Sequence, residues 1–266
     1  AYHLLADQIT PQAQPIFSKG CEECWAKLRN YEVDLGILQA NSKSKQQSAG
    51  LDPVAIVAPL YQEAILVICR KTAKIASARE LAGKAIALGE PGSGVRVTSD
   101  EILDKLGIQT QPQFQDSAWA ALTENNSLDG AIVTASLKDS RLAKLLGTGQ
   151  FRVVPLQQHE LPSNVRPHRF QLDEWPPGAE HLGVVDSGTV DAVLVTRRTA
   201  PAWFVKRTLT TMYGKRNTSL STAGKVRIAD QLDQAQLIMS PKDAAGWSIG
   251  RSLHPAAREF FAPTNL

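Results

Sequence analysis

Residues 87–103, ALGEPGSGVRVTSDEIL, join an apolar strand-like run to a helix-like run through a glycine–serine–glycine elbow. An elbow of this kind is an anion site in the making. The first amides of a helix have no partners within it and sit at the positive end of its dipole, so they offer donors to negative charge. What the motif lacks narrows the anion. A phosphate loop of the GxxxxGK[ST] type needs a lysine after the glycines, and none is there. A dinucleotide fingerprint needs a third glycine, whereas Gly92-Ser93-Gly94-Val95-Arg96-Val97 supplies two, and no well-placed acid ends a following strand. A small carboxylate or similar oxyanion is left, met by the amides of residues 93–97, the Ser93 hydroxyl and the Arg96 fork. The segment alone supports a plainer alternative equally well: Ser93 or Thr98 caps the helix and Arg96 faces solvent.

Other reactive residues are less organised. Cys21 and Cys24 in KGCEECW have CxxC spacing at a helix start, where thiol pKa values fall, but no thioredoxin-like strand precedes them and no second CxxC or histidine pair completes a zinc site. Cys69 sits in the apolar run EAILVICRK and reads as core. The five histidines, His3, His159, His168, His181 and His254, are dispersed, so no metal is expected. PGSGV is not the GxSxG nucleophile elbow, and DSGT (186–189) has the triplet of aspartic proteases in a single copy, which favours a turn. Neither a catalytic constellation nor a cofactor is predicted. The 29 Lys and Arg are scattered against 26 Asp and Glu, a net charge of +3, so nucleic acid is not an expected partner. No apolar stretch approaches the roughly 18–20 residues of a membrane span.

The elements that must position the elbow alternate in type, predicting an α/β fold with largely parallel sheets. Strands are expected at 33–40, as two pieces of 55–70, at 84–90, 112–115, 128–136, 151–156 and 189–198. Helices are expected at 97–107, stopped by Gly107, at 116–126 and 139–147, and at 200–214, opened by Pro201; residues 1–9 form an amphipathic run. Prolines 162, 167, 176 and 177 mark 157–183 as loop and short helix.

The segment GLDPVAIVAPLYQEAILVICRKTAKIASARELAGKAIALGEPGSGVRVTSDEILDKLGI resembles extracytoplasmic solute-binding proteins of the type 2 periplasmic fold, above all the TAXI family that serves TRAP transporters. Leu60, Tyr61, Leu81, Gly83, Lys84, Gly89, Gly92, Ser93, Gly94, Thr98, Ile102, Leu103 and Gly107 fall in step with that family's signature. NYEVDLGILQANS, LDGAIVTAS, TVDAVLVTRRTAP and LHPAAREFF extend the resemblance along the chain. Val95 replaces the family's usual threonine, SKGCEECW replaces a glycine–serine turn, and the usual first strand and glycine-rich turn are missing before AYHLLADQI.

The resemblance implies a two-lobed receptor with crossing hinge strands: lobe one from residues 1–83 plus 185–266, lobe two from 84–156, and 157–184 near the hinge. It implies binding without bond making. The expected solute is a small organic anion of the amino-acid or dicarboxylate class, passed to membrane permease subunits. The expected place is periplasmic or otherwise extracytoplasmic, with a membrane anchor left open; a ligand-sensing domain of a signalling protein is the alternative. From lobe two, Ser93, Gly94, Val95 and Arg96 are placed on the carboxylate, with Thr134, Ala135 and Ser136 at a neighbouring strand end. From lobe one, Gly20, Cys21 and Glu22 at a helix entry, Gln39 and Asn41 after a strand, and Tyr61 face them. Structural alternatives stand beside these roles: Tyr61 packs between lobes, Gln39 and Asn41 cap a turn, and Ser136 caps the 139–147 helix. Glu22 or Glu90 is the candidate partner for a ligand ammonium.

Overall fold

Two long apolar strands organise the sheet in the computed structural model, which describes residues 14–42, 53–109, 118–213, 242–244 and 253–262. The run VAIVAPLYQEAILVICR is rich in β-branched residues and is buried on both faces over most of its length, so it forms β2, Val54–Arg70. Its antiparallel partner is β7, Val185–Arg197, paired from Val54 opposite Arg197 to Ile65 opposite Gly188. The sequence predicts two strands in 55–70, yet the chain makes one. Pro59 cannot serve as a ladder donor, and the irregularity between Pro59 and Gln62 absorbs it without ending the strand.

The remaining strands attach to this pair. The order is β1 (Leu35–Gln39), β7, β2, β4 (Gly130–Ala135) and β3 (Ile86–Ala87). β5 (Phe151–Val154) pairs with the last residues of β2, and β6 (Arg166–Phe170) with the start of β7. The expectation of largely parallel sheets is corrected here. Among the described residues only β3 with β4 and the isolated bridge Ile56–Leu253 are parallel. Strand–helix alternation reports the order of elements along the chain, whereas β2 and β7 run in opposite directions and impose antiparallel partners on whatever joins them. β6 is a second correction: it lies within the stretch read as loop, and Pro167 is tolerated because β6 is bonded on one side only.

Helices flank the sheet, five of them with both ends among the described residues. α1 is Cys21–Arg29, α2 Gly94–Leu106, α3 Ser140–Gly147, α4 Ala202–Tyr213 and α5 Pro255–Phe260. α2 begins at Ser93 and stops at Gly107, whose φ of 70° is the left-handed geometry glycine adopts cheaply. The helix expected at 116–126 is a 3-10 turn, Trp119–Thr123. The expected strand at 112–115 and the run at 1–9 lie outside the described residues.

The apolar interior falls into separate clusters. One joins α1, β1, the first half of β2, the second half of β7, α4 and α5 through Leu28, Leu38, Leu60, Val193, Leu209 and Phe261. Two others cover the faces of the second half of β2. Leu66, Ile68, Val133, Leu142 and Trp175 lie on one side, and Ile65, Val67, Leu88, Ile102 and Ile132 on the other. The boundary between the clusters crosses β2 between Leu60 and Ala64 and β7 between Val190 and Ala192. Leu161, Val165, Phe170 and Trp175 bring the 157–184 stretch into the second body.

Candidate functional site

The elbow meets the start of α1 head to head. Glu22 donates its amide to the Gly92 carbonyl at 3.1 Å. A Cβ on Gly20 would lie 2.6 Å from that same oxygen and 2.8 Å from Ser93 Cα, so only glycine permits this approach. On α2, a Cβ on Gly94 would lie 2.3 Å from Gln39 Oε1 and 3.0 Å from Cys21 Sγ. The mouth of α2 thus faces β1 and α1, and Gly94 is buried there.

Ser93 satisfies two of the four free amides. Its Oγ accepts from Arg96 N–H at 3.1 Å and its carbonyl from Val97 N–H at 3.2 Å, so the capping alternative is realised. The Gly94 amide donates to the Cys21 thiol, and among the described residues no acceptor is found for the Val95 amide. Arg96 runs along its own helix, Nε donating to Asp100 Oδ1 at 2.8 Å, one helical turn away. The expected guanidinium fork on a ligand is therefore not what the free protein displays.

The opposite wall is polar and buried. At the end of β1, Gln39 Nε2 donates to Glu63 Oε2 at 2.7 Å, and both residues are buried. Burial pushes the Glu63 carboxyl up to about 7, against the lowering effect of the Gln39 bond. Asn41 Nδ2 donates to Thr98 Oγ1 at 2.9 Å and to Glu101 Oε2 at 3.3 Å, fastening the segment after β1 onto α2. Thr98 donates in turn to the Gly94 carbonyl at 3.1 Å, and Asn164 Nδ2 reaches Glu101 at 3.0 Å. Neither Gln39 nor Asn41 uses its side chain to cap the following turn, where Ser42 Oγ donates to the Gln39 carbonyl at 2.7 Å.

Cys21 lies beside Gln39, Ser42, Glu63 and Gly94, and burial raises its thiol pKa. Burial pushes Cys24 to about 11 and Cys69 to about 12, and all three cysteines are free, so none is an activated thiolate. Thr134 sits on β4 opposite Ile65, a diagonal neighbour of Glu63 on the same sheet face. Ala135 is buried opposite Ala64. Ser136 belongs to a turn, its Oγ accepting from Lys138 N–H at 3.2 Å, and Asp139 caps α3 in its place. Tyr61 packs against the first apolar cluster.

Gly20, Cys21, Glu22, Gln39, Asn41, Ser93, Gly94 and Val95 thus lie together where α1 and the end of β1 pack on the start of α2, whereas Arg96 and Ser136 also bond locally. Three side chains there have buried polar atoms without partners: Gln39 Oε1, Asn41 Oδ1 and Thr134 Oγ1. Glu63, Thr98 and Glu101 are participants that sequence reasoning missed. Glu63 left a signal, as the lone acid in the apolar run of β2, where a buried carboxyl requires a partner.

Comparison places this architecture. The fold is that of the periplasmic binding proteins. The arginine-, lysine-, histidine-binding protein ArtJ from Geobacillus stearothermophilus is 14% identical with a TM-score of 0.50, covering 79% of this chain and 78% of that one. The Tv2483 protein bound to L-arginine is also 14% identical with a TM-score of 0.50, covering 96% of this chain and 83% of that one. At such identity the likeness is one of fold. Kinship is carried by a family profile that matches residues 4–262, and by that match the chain belongs to the NMT1-like family.

Proposed function

We propose that this protein is a solute receptor, holding a small organic anion at the mouth of α2 between two bodies joined through the middles of β2 and β7. The observation that carries the reading is the mouth of α2, where Gly94 is buried against Gln39 and Cys21 and the half-buried Val95 amide next to it has no acceptor among the described residues. A carboxylate there gives the Val95 amide an acceptor and gains from the helix dipole. The contacts across the crevice, Glu22 to Gly92 and Asn41 to Thr98, are those that a hinge closing on its solute makes and breaks. In this reading the expected lobes shift to the bodies that the apolar clusters outline, and Ser93 acts as the cap that orients the amides.

The fold supports a small-solute role, since one comparison protein is named for binding arginine, lysine and histidine and the other is bound to L-arginine. The elbow motif and its matching glycines support the finer reading, a TAXI-type receptor delivering solute to TRAP permease subunits outside the cytoplasm.

The test is a thermal-shift and calorimetric screen of L-amino acids and dicarboxylates against the wild type and Gly94→Ala. A binder of the native state raises the melting temperature by mass action. The methyl of alanine would sit 2.3 Å from Gln39 Oε1 and so displaces that side chain from the mouth of α2, and affinity should fall at least about tenfold, which is about 1.4 kcal/mol. Equal affinity in both proteins removes the mouth of α2 from the site.

A further inference from the structure

Solute binding leaves the CxxC motif of the sequence unused. Cys21 and Cys24 occupy the first turn of α1, three residues apart and therefore on one face of the helix. Their sulfurs rest on different partners. The Cys24 sulfur lies over β1, where a Cβ on Gly36 would sit 2.5 Å from it, and Cys24 is buried in the first apolar cluster. The Cys21 sulfur reaches across to α2. A Cβ on Gly94 would sit 3.0 Å from it, and it accepts from the backbone amides of Gln39 and Gly94. Cys21 is only half-buried, so a small reagent can reach it.

We propose that Cys21 and Cys24 are a reversible dithiol–disulfide pair, closed by exchange with a small-molecule disulfide such as glutathione disulfide, and that closing it withdraws the Cys21 sulfur from Gly94. Helix geometry allows the bond, because Cα atoms three residues apart are separated by about 5 Å, within the roughly 4.4–6.8 Å that a disulfide spans. The Cβ atoms of such a pair are about 5–6 Å apart against roughly 3.8 Å in a disulfide, so the first turn tightens and the two side chains swing together. Cys21 cannot do that and keep its place on Gly94. Cys69 does not compete, because it is buried with Ile65 and Val67, on β2 opposite Gly130.

The exchange balances in two steps. The Cys21 thiol gives up its proton and its sulfur attacks one sulfur of the small disulfide, whose S–S bond breaks and releases a thiolate that takes up a proton. Cys24 loses its own proton, attacks the Cys21 sulfur and expels the second thiolate, which is protonated in turn. The protein dithiol has then lost two electrons and two protons, and the small disulfide has become two thiols. Burial favours the protonated form of both thiols, so the exchange is a slow response to the surroundings rather than a turnover. Its structural effect falls between the two bodies. Cys21 packs with the first cluster, whereas Gly94 opens the helix that carries Ile102 and Leu103 of another, so their bond ties α1 to α2 beside the contact of Glu22 with Gly92. The dithiol form keeps that tie, and the disulfide form gives it up and opens the Gly94 amide.

The test treats the whole chain with excess glutathione disulfide at pH 8, blocks the remaining thiols and maps the peptides by mass spectrometry. The expected product links Cys21 to Cys24, leaves Cys69 as a thiol and reverts with dithiothreitol, while Cys24→Ser stops at a glutathione adduct on Cys21. Amide hydrogen exchange followed by NMR reads the second half of the inference. The Gly94 amide should exchange at least about tenfold faster in the disulfide form, and the Arg96 amide, held by Ser93 Oγ, should not change. Cys21→Ser keeps an oxygen acceptor and should protect Gly94 equally with and without the oxidant. A wild type that remains a dithiol, or that stops at the glutathione adduct, overturns the pairing. A Cys21–Cys24 disulfide with unchanged exchange at Gly94 overturns the release. Acceleration of Arg96 along with Gly94, or acceleration of Gly94 by the oxidant in Cys21→Ser, overturns it as well.

Discussion

Replacing Glu63 by glutamine perturbs the crevice with almost no change of volume, and its effect on stability can be worked out in sign and size. The folded-state value of the carboxyl lies near 7 against 4.5 for the free group, with burial as the dominant cause. Between those values the native protein holds a proton that the unfolded chain has released. Stability from this group is therefore complete below pH 4.5 and declines as pH rises toward 7, after which the loss is constant. At 1.36 kcal/mol per pH unit the interval amounts to about 3 kcal/mol, an upper bound, because water entering the crevice would lessen it. Glutamine does not titrate and can still bond to the Gln39 amide after either amide turns over. Urea unfolding of both proteins at pH 5 and pH 8, followed by tryptophan fluorescence, cancels every other titrating group in the double difference. The stability of Glu63→Gln relative to wild type should rise by about 2–3 kcal/mol between the two pH values. Parallel profiles would refute the claim that this carboxyl is buried without a counter-charge.

Ser93→Ala removes the cap of α2 and should cost about 1 kcal/mol in urea unfolding while leaving the Gly94 and Val95 amides in place. Arg96→Ala should leave solute affinity within about twofold by calorimetry, because the guanidinium pairs with Asp100 on its own helix and such pairs contribute only about 0.3–0.5 kcal/mol. Gly20→Ala forces a methyl onto the Gly92 carbonyl and should separate α1 from the elbow, read as a larger radius of gyration in X-ray scattering and a weaker solute affinity.

The strongest part of the sequence reading concerned the elbow, and the reason is local. Strand, glycine turn, serine cap, apolar helix face and glycine stop lie within residues 86–107, where backbone preferences act between near neighbours. The Arg96 pairing is equally local, since Asp100 four residues on lies one helical turn away. β6 escaped notice because exposed positions and a proline mask a strand that is bonded along one edge.

What the amino-acid order determined by itself was the donor half of the proposed site: a helix whose first turn is opened by Gly92-Ser93-Gly94, on an α/β chain of the binding-protein kind. What only the tertiary structure decided was the acceptor half, and which way the strands run. Gln39 reaches Glu63 across 24 positions and Asn41 reaches Thr98 across 57. No periodicity encodes such pairs, because they arise when β7 and β2 cross antiparallel and bring the end of β1 over the mouth of α2. Glu63 is an acid in an apolar strand until that crossing buries it beside an unsatisfied amide, and burial is a property of the folded chain alone.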